Sequence, residues 1–271
     1  MKIGVNTFGL GRYLHKDAEK VWSGLYDAGV RSIEPCVAFR PTSWAARVWT
    51  KGQFDGVFPK KNAAAVIRML RSRGFEVFSF QLQNVPFTMG ELQKTIPFMQ
   101  ENGIEYCVYS FMDGSVDKIR SMEETIRDAV SLFQAHGKEL LIHNHDMEWR
   151  RDNGTSVMHW LLENIPELRF ELDLGWTKYA GVDPVFLLKE YPDRFPLLHI
   201  KEIAKDARAW TKKPFCTAPG EGILPLVDIL SAAKDMPLTE RAFIIDQDDS
   251  VSGDIVGDIA RGIRNINQLL R

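Results

Sequence analysis

The chain has 271 residues, of which 45% are hydrophobic and 26% are charged. This composition excludes a disordered chain and predicts an ordinary globular protein. The formal net charge of −2 argues against a nucleic-acid partner, because phosphate backbones attract strongly basic faces. No segment approaches the ~18 uninterrupted apolar residues of a membrane span, so no membrane partner is expected. The three cysteines form no CxxC pair and the amino terminus lacks a signal-peptide pattern, which predicts a cytoplasmic protein.

Short apolar segments alternate with amphipathic segments from one end of the chain to the other. The predicted strands, in chain order, are Lys2–Thr7, Ser32–Cys36, Glu76–Gln81, Glu105–Ser110, Glu139–Asn144, Arg169–Asp173, Leu197–Lys201 and Ala242–Asp246. The predicted helices are Asp17–Ala28, Lys61–Arg73, Leu92–Asn102, Val116–His136, Ser156–Asn164, Pro184–Glu190, Leu224–Lys234 and Gly253–Leu270. This alternation is typical of βα units and predicts an α/β fold.

Four glycines stand between a predicted helix and the next predicted strand, at Gly29, Gly74, Gly103 and Gly137. Glycine accepts the left-handed conformation that commonly ends a helix. Eight such units close a parallel barrel. An open doubly wound sheet is the alternative, but GLGR (9–12) lacks the full glycine pattern of a dinucleotide turn. We therefore predict a single (β/α)8 TIM-barrel domain over residues 1–271.

Two connections, residues 37–60 and 203–222, are long enough to cover the mouth of a barrel. Aromatic and basic side chains in them suit a polyol ring or a subunit contact, and packing on the barrel rim is an equal alternative. These side chains are Arg40, Trp44, Arg47, Trp49, Phe54 and Phe58 in the first loop, and Trp210, Lys212 and Lys213 in the second.

Four predicted strands in the second half of the chain end in polar groups that suit a metal ion. A parallel barrel builds its active site from the carboxyl ends of its strands. Glu148, Asp173, His199 and Asp246 are therefore expected to converge, although up to 98 positions separate them. Three carboxylates and one imidazole suit a divalent cation such as Mn²⁺, Mg²⁺, Co²⁺ or Zn²⁺.

Side chains alternate along a strand, so residues two apart share a face. His143 and His145 then share one face, as do Glu171 and Asp173. Two like charges are costly inside a barrel unless they are paired or bind metal, and we interpret the deeper Glu171 as the partner of a lysine or arginine. The remaining candidates are Lys201 and Asp248 beside the metal ligands, Trp176 as a pocket wall or core residue, and Glu221 as a ligand contact or turn residue.

The order of these motifs resembles the xylose isomerase-like barrel superfamily, in particular its sugar phosphate isomerase/epimerase branch. The resemblance rests on HNHDMEW (143–149), ELDLGWTKYAGVDP (171–184), RFPLLHIKE (194–202), GEGI (220–223) and IIDQD (244–248). It covers residues 139–250, whereas the first half agrees only in rhythm, including Glu34 at a strand end.

The resemblance implies the same four metal ligands, His145 as a proton carrier and Lys201 as the family lysine. Catalysis would then fall on His145, Glu148, Lys201 and Asp246. Three positions depart from the family pattern: Asp246 is one methylene shorter than the usual glutamate, Glu202 replaces an aspartate, and Gln81 stands where relatives often carry histidine. Gln81 and His143 are interpreted as substrate-binding residues.

These features predict a metal-dependent sugar isomerase or epimerase that moves a proton next to a carbonyl through an enediolate. The expected ligand is a sugar or cyclitol, and the chain could form a homo-oligomer or serve as a partner subunit. A dehydratase or lyase acting on a keto-sugar, keto-inositol or keto-glycoside is an alternative, as is a non-catalytic sugar-binding subunit. A DNA-repair endonuclease fits poorly, because it needs a richer set of zinc ligands and a basic face.

Overall fold

The computed structural model describes residues 2–41, 56–211, 213–240 and 242–270. The strands are β1 (Ile3–Asn6), β2 (Val30–Glu34), β3 (Cys36–Ala38), β4 (Val57–Pro59), β5 (Ser79–Gln83), β6 (Tyr106–Tyr109), β7 (Glu139–His143), β8 (Arg169–Asp173), β9 (Leu197–Ile200) and β10 (Phe243–Ile245). All neighbouring strands pair in parallel, in the order β2-β1-β10-β9-β8-β7-β6-β5-β3-β4. Trp44, Arg47, Trp49, Phe54 and Lys212, which were considered as loop contacts, lie outside the described residues.

The sheet curls because β2 and β3 are two parts of one strand, separated by Pro35. β2 pairs with β1, and β3 pairs with β5. Backbone hydrogen bonds from Ile33 to Glu76 (2.9 Å) and from Gln81 to Pro35 (3.1 Å) join the β2 end of the sheet to the segment at β5 and so close the barrel. The α/β TIM-barrel fold is therefore confirmed. All eight predicted strands are present, and the short β4, which pairs with β3, was not predicted.

Helices cover the outside of the sheet. They are α1 (Gly11–Asp27), α2 (Lys60–Ser72), α3 (Met89–Leu92), α4 (Thr95–Glu101), α5 (Val116–Arg120), α6 (Glu123–Ala135), α7 (Val157–Asn164), α8 (Leu174–Tyr179), α9 (Pro184–Glu190), α10 (Leu226–Ala233) and α11 (Ile255–Leu269). The predicted helix Val116–His136 is split into α5 and α6, and the short helices α3 and α8 were not predicted. None of the helices in the described ranges is both long and apolar enough to cross a membrane.

The glycine positions confirm the repeat that the sequence indicated. Gly29, Gly74, Gly103 and Gly137 all have positive φ angles, between 57° and 102°. Each glycine follows a helix and precedes a strand, where the left-handed conformation turns the chain back toward the sheet. The repeated glycine therefore meets one local requirement, a left-handed residue between the helix and the next strand, in four successive βα units.

The inside of the barrel has an apolar layer at one level. Phe78, Val108, Leu141, Leu197 and Ile244 form a buried cluster that is separate from the larger core between strands and helices. Residues two positions further along a strand point to the same face but lie nearer its carboxyl end. His143, His199 and Asp246 follow Leu141, Leu197 and Ile244 in this way. The apolar layer thus supports a polar layer at the mouth of the barrel.

Candidate metal centre

Four ligand side chains meet in this polar layer. One ligand atom from each of His143, Asp173, His199 and Asp246 lies within 4.8 Å of the others, and all four residues are buried. His143 Nε2 lies 3.9 Å from Asp173 Oδ2, and His199 Nδ1 lies 3.3 Å from Asp246 Oδ2. The strands β7, β8, β9 and β10 each contribute one side chain from their carboxyl ends. The structure therefore brings together three of the four side chains predicted as ligands, with His143 as the fourth member.

Two carboxylate oxygens of this cluster are unpaired, which suits a divalent cation. Asp173 Oδ1 accepts a hydrogen bond from the Trp176 N–H (2.8 Å), whereas Asp173 Oδ2 is buried with no hydrogen-bond partner. Asp246 Oδ1 is also buried with no hydrogen-bond partner. Unpaired buried carboxylate oxygens are costly unless a cation neutralises them. Imidazole nitrogen and carboxylate oxygen together suit Zn²⁺, Co²⁺ or Mn²⁺.

A second group of carboxylates orients the two imidazoles. Glu171 Oε2 lies 3.0 Å from His143 Nδ1, and Glu171 Oε1 lies 3.0 Å from His199 Nε2. Glu34 Oε1 also lies 3.0 Å from His199 Nε2. When these nitrogens donate to carboxylates, His143 Nε2 and His199 Nδ1 keep their lone pairs on the side of Asp173 and Asp246. This is the usual way in which outer carboxylates fix the tautomer of metal-binding histidines.

Glu171 had been interpreted as the partner of a lysine or arginine, but it contacts the two histidines and Gln81 instead. Gln81 Nε2 donates to Glu171 Oε2 (3.3 Å), and Asn6 Nδ2 donates to Glu34 Oε1 (2.8 Å). Burial, followed by the negative charge of Glu171, raises the pKa of Glu34 to about 7. These two carboxylates therefore share one buried polar site below the candidate ligands.

The histidines of the cluster differ in their electrostatic surroundings. Burial, reinforced by the positive charge of His199, lowers the pKa of His143 to about 3. Burial also opposes a charge on His199, but Glu171, Asp246 and Glu34 outweigh it and raise the pKa of that imidazole well above its usual value. Without a cation the surroundings thus favour a neutral His143 and a protonated His199, and a cation that binds His199 displaces this proton.

The HNHDMEW segment acts through side chains that point in different directions. Asn144 Oδ1 accepts a hydrogen bond from the Asp173 N–H (3.0 Å), and Asn144 Nδ2 donates to the Asp173 carbonyl oxygen (3.2 Å). The outward-pointing Asn144 therefore fixes the main chain that carries a candidate ligand. The sequence pattern gave no indication of this role, because an asparagine at a strand end is also typical of a turn.

The structure does not bring Glu148 to the cluster. Glu148 lies in a 3₁₀ turn, Met147–Trp149, and is fully buried. Its Oε1 accepts from the Asp113 N–H (3.2 Å) and its Oε2 from the His145 N–H (2.9 Å). Burial raises its pKa to about 7, although these N–H groups favour the ionised form. The assignment of Glu148 as a ligand and a base stays a prediction, which a substitution described below tests.

A buried lysine lies beside the cluster. Lys201 Nζ is 2.9 Å from Asp246 Oδ2 and 2.9 Å from Asp248 Oδ2. Burial opposes a charge on Lys201, but Asp246 and Asp248 outweigh it and raise its pKa. Burial raises the pKa of Asp248 to about 6. Gly175 allows this arrangement, since a Cβ there would lie 1.9 Å from the Lys201 carbonyl oxygen.

The cluster opens into a cavity of about 640 Å³ at the carboxyl end of the barrel, a volume typical of small-molecule sites. Its polar lining is His143, His145, Asp246, Asp248, Gln81, Gln83, Asn84, Ser110 and Arg40, and its apolar or aromatic lining is Phe8, Pro41, Leu82, Val85, Pro86, Tyr109, Phe111, Met112 and Trp210.

Burial and the charges of His143 and Lys201 lower the pKa of His145. His145 Nδ1 has no hydrogen-bond partner. His145 therefore lines the cavity and carries a buried ring nitrogen without a hydrogen-bond partner.

Two predicted substrate contacts lie elsewhere. The Trp176 ring is 1% exposed and stacks under Trp210, with 5.0 Å between ring centroids and 10° between planes. Trp210, one of the loop aromatics that the sequence indicated as suited to a polyol ring or a subunit contact, lines the cavity in its place. Glu221 is exposed, and its Oε1 lies 3.2 Å from Arg261 Nε. By contrast, His143, Gln81 and Asp248 all line the cavity.

Among known sequences, no protein-family model matches the chain. The chain is 24% identical over 170 residues to an inosose dehydratase from Geobacillus kaustophilus, a match covering 51% of this chain and 54% of that protein. The chain therefore aligns with about half of the length of this relative.

Solved structures resemble the chain over almost its whole length. A sugar phosphate isomerase/epimerase from Parabacteroides distasonis has a TM-score of 0.73 at 19% identity, covering 100% of this chain and 95% of that one. The IOLI protein with a bound zinc atom has a TM-score of 0.63 at 12% identity, covering 100% and 96%. A xylose isomerase-like TIM barrel protein from Mycobacterium smegmatis in complex with magnesium has a TM-score of 0.63 at 14% identity, covering 99% and 96%. The chain thus has the fold of xylose isomerase-like TIM barrels, as its motifs indicated.

Proposed function

We propose that this chain is a divalent-metal-dependent enzyme that isomerises or epimerises a sugar or cyclitol by proton transfer next to a carbonyl. The buried group of His143, Asp173, His199 and Asp246 carries the proposal, because two of its carboxylate oxygens have no hydrogen-bond partner and it opens into a cavity. Solved neighbours with bound zinc and bound magnesium support a metal-binding role for this fold. A cation bound here would act as a Lewis acid on a substrate oxygen.

His145 is our candidate for the group that removes the carbon-bound proton. Its pKa is lowered by burial and by His143 and Lys201, so the imidazole is neutral at pH 7 and can accept a proton. Its Nδ1 has no hydrogen-bond partner, and the residue lines the cavity. Return of the proton to the neighbouring carbon gives isomerisation, whereas return to the opposite face gives epimerisation. Base catalysis of this kind contributes about 10²–10⁴-fold.

Lys201, Asp246 and Asp248 form a linked acid–base group beside the candidate ligands. The ammonium group lies 2.9 Å from one oxygen of each aspartate, so it holds Asp246 ionised for metal binding. Burial opposes the ionised form of Asp246, but Lys201, His199 and His143 together outweigh it and lower its pKa, whereas burial raises the pKa of Asp248 to about 6. Asp248 can therefore carry a proton to or from a substrate hydroxyl near neutral pH, with Lys201 as its charged neighbour.

The proposal is tested by solvent exchange. The purified protein is loaded in turn with Mn²⁺, Mg²⁺, Co²⁺ and Zn²⁺ and incubated in D₂O with ketoses, keto-inositols and 3-keto-glycosides. We expect deuterium at one carbon next to the carbonyl, detected by NMR, only in the presence of a cation. The His145→Ala variant should keep the cation and lose the exchange. Deuterium uptake that is equal in metal-free protein would contradict the proposal.

A metal-dependent dehydratase is a second candidate, and the inosose dehydratase relative favours it. Removal of the same proton would then be followed by loss of a β-hydroxyl group as water, with Lys201 or Asp248 placed to protonate the leaving oxygen. Mass spectrometry of the products separates the two reactions. Isomerisation and epimerisation conserve the mass of the substrate, whereas dehydration lowers it by one water molecule.

A further inference from the structure

Trp210 occupies an unusual place at the mouth of the cavity. It belongs to the long connection between β9 and α10 and lines the same cavity as His143, His145 and Asp246. One face of its indole ring covers Trp176, yet the residue remains 53% exposed. Its ring centroid lies 6.1 Å from that of His145. The uncovered part of the ring is therefore available to a molecule that reaches the proposed base.

The position of Trp210 is fixed by two specific constraints. Its Nε1–H donates to Asp146 Oδ1 at 2.8 Å, and Asp146 Oδ2 accepts from Arg150 Nη2 at 2.6 Å. Its φ angle of 62° places a bulky residue in the left-handed region. A residue other than glycine persists there only when its surroundings over-determine the conformation, and such residues are common at ligand sites. Asp146 is the neighbour of His145 in the chain, so the hydrogen bond couples the ring to the proposed base.

The same kind of strain recurs around the cavity. The described residues other than glycine with positive φ are Asn84, Met112, Asn153 and Trp210. Three of these four, Asn84, Met112 and Trp210, line this one cavity. Simple packing of Trp210 on Trp176 does not explain this concentration, because a packing tryptophan has no need of a strained backbone at a cavity mouth. The concentration favours a ligand-binding role for the rim.

We propose that Trp210 is a specificity-determining residue whose open ring face binds the C–H face of a sugar or cyclitol ring. The inference rests on the proposed function, since it assumes a ring whose oxygens point toward the histidine and aspartate groups. Aromatic faces carry partial negative charge and attract the slightly positive C–H groups of a flat ring face. Rings with all hydroxyl groups equatorial present such a face on both sides, whereas an axial hydroxyl group interrupts one side and leaves only the opposite side for stacking. The preferred substrate class is therefore an all-equatorial ring.

The test measures binding alone, independently of turnover. Zn²⁺-loaded protein is titrated with methyl β-D-glucopyranoside and scyllo-inositol, which are all-equatorial, and with methyl β-D-galactopyranoside and myo-inositol, which each have one axial hydroxyl group. Saturation-transfer NMR reports ring C–H contacts, and the Trp210 indole N–H signal, assigned with Trp210→Phe, reports the position of the ligand. We expect the all-equatorial members to bind more tightly and to shift this signal.

Substitutions separate stacking from simple packing. Trp210→Ala should weaken binding of the all-equatorial probes by roughly two- to tenfold, in line with aromatic stacking energies, whereas Trp210→Phe should retain most of the affinity. Asp146→Ala should weaken binding, and Asp146→Asn, which keeps an acceptor oxygen, should restore it. The matched control is Phe186→Ala, which removes another exposed aromatic ring (58% exposed) on α9, away from this cavity.

Several results would overturn the inference. These are equal affinity for equatorial and axial rings, unchanged binding in Trp210→Ala, or no binding of any of the four probes. Metal content, measured in the same samples, distinguishes failure of this inference from failure of the proposed function. If the protein holds one cation but Trp210→Ala leaves probe binding unchanged, this inference alone is contradicted. If the protein binds no cation, the proposed function is contradicted.

Discussion

Glu171 Oε2 and His143 Nδ1 lie 3.0 Å apart in the buried centre of the barrel. This contact makes Nδ1 the donor and leaves Nε2 to face Asp173. The other oxygen of the same carboxylate lies 3.0 Å from His199 Nε2. Glu171 therefore fixes His143 and lies beside His199, whose Nε2 is also 3.0 Å from Glu34 Oε1. Glu171 comes from the same strand, β8, as the candidate ligand Asp173.

Glu171→Gln should weaken metal binding without removing the metal ligands. An amide offers one acceptor oxygen in place of two, so one histidine loses the partner that fixes its tautomer. Loss of such an outer contact usually lowers metal affinity by about 10–100-fold. Isothermal titration with Zn²⁺ measures the change, and the exposed Glu163→Gln on α7 is the matched control. Unchanged affinity in Glu171→Gln would show that the histidines do not depend on this carboxylate.

His199→Ala and Asp173→Asn should each lose the bound cation while the barrel remains folded. Asparagine keeps the Oδ1 that accepts from Trp176 and removes only the charge at Oδ2, so the start of α8 is preserved. Metal analysis of purified protein should give about one cation per chain for the wild type and for the exposed-site control His136→Ala. If both site variants retained one cation per chain, the assignment of these ligands would be incorrect.

Glu148→Gln separates a structural role from a metal-binding role. Both Glu148 oxygens accept backbone N–H groups, and a glutamine NH₂ group would face one of these donors. An unsatisfied buried donor costs about 1–3 kcal/mol, so we expect a comparable loss in the free energy of unfolding. Urea denaturation of metal-free protein measures this loss. A selective loss of metal affinity with unchanged stability would instead support Glu148 as a ligand.

Glu202 should make the stability of the metal-free protein depend on pH. Its oxygens accept from the Gly220 and Leu224 N–H groups (2.8 and 2.9 Å), but burial dominates and raises its pKa to about 7. The folded state therefore holds this proton more tightly than the unfolded state, and its contribution to stability is lost as pH rises from about 4.5 to about 7. At about 1.4 kcal/mol per pKa unit, the loss is on the order of 3 kcal/mol.

The Glu202 contribution is measured as a difference between two pH profiles. The free energy of unfolding is determined from pH 4 to pH 8 for the wild type and for Glu202→Gln. Glutamine does not titrate, so the gap between the two curves should change across this window in the direction given above. A constant gap would show that the Glu202 carboxyl has a similar pKa in the folded and unfolded states.

Much of the fold and part of the candidate site followed from local sequence patterns. Asp173 ends a strand, while His199 and Asp246 lie near or just past strand ends. The alternation of side chains along a strand, and the location of barrel active sites at the carboxyl ends of strands, therefore predicted that they converge. Glu148 lies beyond its strand, in a 3₁₀ turn whose direction no periodic pattern encodes. The choice between His143 and Glu148 therefore depended on the loop conformation, which only the structure describes.

The outer contacts of the site were harder to predict for a different reason. Glu171 could have paired with any buried cation, and its two histidine contacts arise from the closure of the barrel across β7, β8 and β9. Trp210 reaches the cavity because its own backbone is in the left-handed conformation. It lies in a loop that has no repeating sequence pattern. Specific long-range contacts of this kind leave no periodic trace in a single sequence.

The most direct test of the metal centre is a crystal structure of the protein grown with Zn²⁺, with anomalous scattering measured to locate the ion. The account predicts one strong peak within about 2.0–2.2 Å of His143 Nε2, His199 Nδ1 and oxygens of Asp173 and Asp246, the range of ordinary metal–ligand distances. No peak among these four side chains, or a peak elsewhere in the barrel, would contradict it.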